Sequence, residues 1–75
     1  MKEYEIVHKY LNGCAGAAHP QITFEEASVS GPEAYLRQKH PRDHHRFVRE
    51  ALPDGRLVYT YDTGCVVYIY EFTEL

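Results

Sequence analysis

The segment Arg37-Gln-Lys-His-Pro-Arg-Asp-His-His-Arg-Phe-Val-Arg49 holds the densest set of side chains able to do chemistry. It carries Arg37, Lys39, Arg42, Arg46 and Arg49, five of the chain's eight basic residues, against the single acid Asp43. It also carries His40, His44 and His45, three of the five histidines. Guanidinium and ammonium groups gathered this way suit an anion, so Arg37, Lys39, Arg42, His44, His45, Arg46 and Arg49 form a candidate anion-binding surface. Its ligand would be a phosphate group, a single-stranded nucleic acid or an acidic protein patch. The histidines would add charge as pH falls toward about 6.5. A plainer reading stands beside this one. Arg37, Lys39 and His40 fall where cations complement the C-terminal end of a helix, and the remaining charges are then a solvated connection.

The rest of the chain has the opposite sign. Ten acids face Lys2, Lys9 and Arg56, a balance of −7 within an overall charge of −3. Phosphate contacts supply most non-specific nucleic-acid affinity, and an acidic body repels that backbone, so nucleic acid is disfavoured as a partner.

Cys14, His19, His40 and His44 are ligand types that zinc accepts, and four of them would close a tetrahedron. No Cys-x2-Cys pair is present, however, and the spacing matches no zinc finger. The small-residue stretch Asn12-Gly-Cys-Ala-Gly-Ala-Ala-His-Pro20 lacks the Gly-Lys-Ser/Thr ending of a phosphate-binding P-loop. A Cys14 nucleophile paired with His19 or His8 needs a third, orienting group that the sequence does not mark. Glu25 and Glu26 are neighbours on a strand, point to opposite faces and cannot share a proton. No catalytic residue is therefore assigned and no cofactor is expected; the sequence leaves open whether the chain is an enzyme and leans toward a non-enzyme.

Seven tyrosines and no tryptophan make the aromatic composition unusual. Along the last strand Val66, Tyr68, Tyr70 and Phe72 share one face, while Cys65, Val67 and Ile69 share the other. Tyr59 and Tyr61 share a face of the preceding strand. If the aliphatic side is core, then Tyr59, Tyr61, Tyr68 and Tyr70 are left half exposed as an interface for a dimer mate, a partner strand or stacked bases. The alternative is that these tyrosines pack the core and keep their hydroxyls wet.

The elements that must position these groups follow from periodicity. Residues 3–11 and 21–29 alternate with period two and read as strands, separated by a loop from Asn12 to Pro20. Ser30-Gly-Pro-Glu33 reads as a capping box opening a helix over about Pro32–Lys39, with Tyr35 and Leu36 inward and His40-Pro41 ending it. Residues 45–52 are read as a strand, although Phe47, Val48, Ala51 and Leu52 also fit a helical spacing. Leu52-Pro-Asp-Gly-Arg56 is a hairpin turn, and Thr63-Gly64 separates strands over 56–62 and 65–73. The expected fold is α+β: a mainly antiparallel sheet in β-β-α-β-β-β order, with one short helix packed on one face, in a single domain over 1–75.

The longest apolar run, Cys65 to Tyr70, is too short to cross a bilayer, and Met1-Lys-Glu-Tyr-Glu5 is no secretory signal. Two cysteines are also few for a stapled secreted domain, so free thiols and a cytoplasmic setting are expected. A small core without a staple favours association with itself or another protein. The leading expectation is thus a small interaction or regulatory module, a homodimer or partner-docking domain using its tyrosine face. Phosphate or single-stranded nucleic-acid binding through 37–49 is the first alternative. Metal or thiol chemistry around Cys14 is the second.

Overall fold

The computed structural model describes residues 1–12 and 21–75. They form five strands, β1 (Lys2–Asn12), β2 (Gln21–Val29), β3 (Val48–Ala51), β4 (Leu57–Asp62) and β5 (Val66–Glu74), with one helix, α1 (Pro32–Lys39), between β2 and β3. The sheet runs in the order β2-β1-β5-β4-β3 and every pairing is antiparallel. The fold is the expected α+β arrangement. None of its helices is long and apolar enough to cross a membrane, among the described residues.

Two local details differ from the sequence reading. The helix begins at Pro32 as expected, but its N-cap is Gly31 and no side chain caps it, so Ser30 and Glu33 form no capping box. The Gly31 carbonyl accepts from the Ala34 and Tyr35 amides, and proline at the first position needs no donor partner. The chain leaves the helix at His40, whose amide donates to Leu36, just before Pro41. The other difference lies in residues 45–52. Only Val48–Ala51 is strand, and His44–Arg46 forms a single 3-10 turn. That turn shortens the β3 edge and folds the two adjacent histidines back beside the helix.

The β3–β4 and β4–β5 hairpins each turn on a glycine in the left-handed region, Gly55 at φ 95° and Gly64 at φ 98°. These are positions where a side chain would be strained. Register then assigns the faces. Tyr4, Ile6, His8 and Tyr10 of β1 stand opposite Glu74, Phe72, Tyr70 and Tyr68 of β5, and Leu57, Tyr59 and Tyr61 of β4 continue the same rows.

This is the face that α1 covers. The core is Tyr4, Ile6, Val29, Tyr35, Leu36, Tyr59, Tyr70 and Phe72. The expectation of an exposed tyrosine interface is therefore reversed at Tyr59 and Tyr70, which are only 5% and 3% exposed. The reason is geometric. A helix of eight residues spans about 12 Å, whereas five strands spread over about 19 Å, and only large rings fill the space between them. Tyr4, Tyr35 and Tyr59 all meet Phe72 edge-on, with ring centres 5.6–6.0 Å apart, the arrangement that aromatic quadrupoles favour. The aliphatic set, Val7, Leu11, Val58, Val67 and Ile69, lies on the bare face with Ile22 and Phe24.

A second correction concerns the cysteines. Cys65 is disulfide-bonded, and the described residues include no free cysteine. The β1–β5 register sets Asn12 opposite Val66, the neighbour of Cys65, so distance along the sequence is a poor guide to distance in space. Cys14 and His19, together with the loop read between Asn12 and Pro20, lie outside the described residues.

Candidate functional site

The helix runs over the sheet like a ridge, and a cleft opens on each side of it. The cleft toward β3 and β4 has a volume of about 270 Å³ and is lined by Glu33, Arg37, His44, His45, Phe47, Arg49 and Tyr59. Three elements supply its cations. Arg37 comes from the last turn of α1, His44 and His45 from the 3-10 turn, and Arg49 from β3, where register pairs it with Tyr59. The turn is held by the His44 amide donating to the His40 carbonyl (2.9 Å) and the Arg46 amide donating to Asp43 (2.8 Å).

Charge in this cleft is left over. Neither Arg37 nor Arg49 makes an ion pair with a carboxylate among the described residues, whereas Arg46, Lys39 and Arg56 each do. Glu33 is the single acid in the lining, so two guanidiniums face one carboxylate. His44 Nδ1 is buried with no hydrogen-bond partner. A buried ring nitrogen without a partner costs free energy. At the base, burial raises the Tyr59 hydroxyl pKa, Glu33 raises it further and Arg49 pulls against both.

The sequence segment thus splits. Arg37, His44, His45 and Arg49 converge, and the other three cations of the candidate surface go elsewhere. Lys39 stands 4.0 Å from Glu25 and over the Tyr35 ring. Arg46 sits 3.9 Å from Asp43, and Arg42 is exposed on the turn. Sequence reasoning named the cations but missed Glu33, Phe47 and Tyr59 as their surroundings. The signal available was the i, i+4 spacing of Glu33 and Arg37 on one side of the helix.

The cleft on the other side, toward β1 and β2, is larger, about 340 Å³, and its lining includes His8, Glu25, Tyr35, Lys39, His40, Tyr68 and Tyr70. His8 stacks on Tyr70 (4.2 Å, 4° between planes), and His40 Nε2 shares a 2.7 Å hydrogen bond with the Tyr70 hydroxyl. The Tyr35 hydroxyl donates to Glu25 (2.9 Å). Burial lowers the pKa of both histidines, with His40 and Lys39 adding to the effect at His8. It pushes the Tyr70 hydroxyl up to about 12. Its formal charges, Glu25 and Lys39, balance each other. Here a rigid aromatic stack has satisfied itself, apart from His8 Nε2, which is buried without a partner.

Of the proposed metal ligands, His40 engages Tyr70 while His44 belongs to the basic cleft. Among the described residues no group of three or more His, Cys, Asp or Glu side chains is placed to hold a metal. Of the proposed interface tyrosines, Tyr61 and Tyr68 are half-buried at the end of the sheet beyond the helix, and their rings lie 6.2 Å apart. No protein-family model matches the chain, and no curated protein or solved structure matches it either.

Proposed function

We propose that the domain is a binding module for a small phosphate-bearing ligand, held in the basic cleft between α1, the 3-10 turn and β3. The observation that carries this reading is the convergence of Arg37 and Arg49, from different elements and both without a carboxylate partner among the described residues, on one concave site. Two planar guanidiniums suit a tetrahedral oxyanion, which each can bind through paired N–H groups. His44, His45 and the Tyr59 hydroxyl supply further polar contacts, and Phe47 supplies an apolar wall. A compact ligand fits better than a nucleic-acid strand, because Lys39 and Arg46 are occupied by acids and the surrounding body is negative. No bond-breaking machinery is needed for this role. The disulfide at Cys65 weighs for an oxidising compartment and against the cytoplasm.

The test is titration of the 15N-labelled protein with inorganic phosphate and with a phosphomonoester at low salt. Amide shifts should concentrate at 37, 44–45 and 49, and chloride should not reproduce them. Arg37→Gln or Arg49→Gln should each weaken binding by about tenfold or more, the cost of one charge-assisted contact. A titration with no shifts, or one unchanged in the double variant, overturns the reading.

A further inference from the structure

The basic cleft contains one group that an anion site made of cations alone would not hold. Glu33 stands on α1 one turn before Arg37, on the same side of the helix. Glutamate ahead of a basic residue at this spacing is the order in which the two ions stabilise a helix by pairing. Here Glu33 forms no ion pair among the described residues, although Arg37 and Arg49 line the cleft with it. Its carboxylate acts instead on the cleft floor. After burial, the largest influence on the Tyr59 hydroxyl is Glu33, and Arg49 acts on the same hydroxyl in the opposite sense. An acid in the first turn of a helix complements the macrodipole whatever it faces. That accounts for a carboxylate at 33, but not for its standing unpaired beside two guanidiniums in a concave site.

Resting on the phosphate reading above, we propose that Glu33 accepts a hydrogen bond from a P–OH group, so that the cleft takes a phosphate still carrying a proton and rejects oxyanions that carry none. Arg37 and Arg49 donate to the unprotonated oxygens. An ionised carboxylate has only acceptors, so it can bond only to a ligand with a hydrogen to give. A phosphomonoester, with a second pKa of about 6, offers that hydrogen on about half its molecules near pH 6. Sulfate and sulfate esters offer none, and one of their oxygens would meet the Glu33 carboxylate as acceptor against acceptor. Phosphodiesters fail for the same reason. The ligand is therefore inorganic phosphate or a terminal phosphomonoester, and the selectivity comes from the repulsive group in the site.

Two pairs of anions test this near pH 6, titrated by calorimetry into the wild-type protein and Glu33→Gln. Within a pair the histidines are in the same state, so their charge cancels. The first pair is inorganic phosphate and sulfate. Charge alone favours sulfate, a dianion, over phosphate, mostly a monoanion at this pH. Glu33 as an acceptor reverses that order, and wild type should bind phosphate more tightly by about tenfold or more. The second pair is methyl phosphate and methyl sulfate, in which the phosphate carries the larger charge. Simple relief of repulsion in Glu33→Gln would therefore help methyl phosphate at least as much as methyl sulfate. The proposal expects the opposite: methyl sulfate should gain about tenfold, because the new amide can donate to a bare oxygen, while methyl phosphate changes by less than about threefold. Sulfate binding as tightly as phosphate, or a methyl-ester ratio unchanged by Glu33→Gln, overturns the role of Glu33 and leaves the phosphate site standing. A protein that binds neither phosphate nor methyl phosphate overturns both.

Discussion

Phe72 and Phe24 stand on opposite faces of the same five-stranded sheet, the first 1% exposed and the second 73%. Both faces carry large apolar residues, so side-chain alternation separates them without saying which is covered. The choice falls to the helix. Tyr35 and Leu36 project from one short helix onto the aromatic rows of β1, β4 and β5, where wide rings bridge the gap to a narrow lid. The aliphatic rows, interrupted by Lys9 and Glu71, are left facing outward.

The largest effect should come from breaking the covered side. Phe72→Ala removes the ring that Tyr4, Tyr35 and Tyr59 all abut, and should cost about 3–5 kcal/mol of unfolding free energy in urea. Phe24→Ala, measured on dilute protein, should stay within about 0.5 kcal/mol of wild type. Equal losses at the two positions would mean that the faces are not distinct.

Much of this was legible in the sequence, for identifiable reasons. The strands had a loose period of two, β-rich composition and turn signals at Pro53-Asp-Gly55 and Thr63-Gly64, and the helix ended where His40-Pro41 required. The identity of the core face was not legible, because alternation is symmetric until the third layer is placed. His45 and Arg46 were read as the start of a strand for a related reason: a 3-10 turn of three residues has no period of its own. The basic cleft was half legible. Composition marked the cations, but only the fold showed that Arg37 and Arg49 lack acidic partners among the described residues while Lys39 and Arg46 have them.

The two faces should also answer differently to pH. The covered side carries His8 and His40, both with pKa values lowered chiefly by burial, while the bare face holds no histidine among the described residues. His8 is opposed by His40 and Lys39 and favoured by Glu25, and His40 is favoured by Asp43. A histidine whose folded pKa is depressed binds protons more readily once unfolded. Its stability contribution is therefore fully present above about pH 6.5 and is lost as pH falls through the folded pKa. The urea midpoint should be flat from pH 8 to 7 and fall below 6.5. His8→Gln should flatten that fall, and an unchanged slope would remove His8 as its source.

The smallest effect is expected at the centre of the bare face, where Glu71 accepts from Lys9 at 2.7 Å and from Arg56 at 3.2 Å. Arg56 also holds Asp54 at 2.8 Å, so the four charges form a chain across β1, β5 and the β3–β4 turn. The Lys9 side chain remains well exposed, which lets water screen the pair, and exposed pairs are typically worth about 0.2–1 kcal/mol. A double-mutant cycle with Lys9→Met and Glu71→Gln should return a coupling in that range, falling as salt is added. Coupling well above it, or insensitive to salt, would mean that water is excluded from this face in solution. In that case the contrast between Phe72 and Phe24 would be one between two buried surfaces.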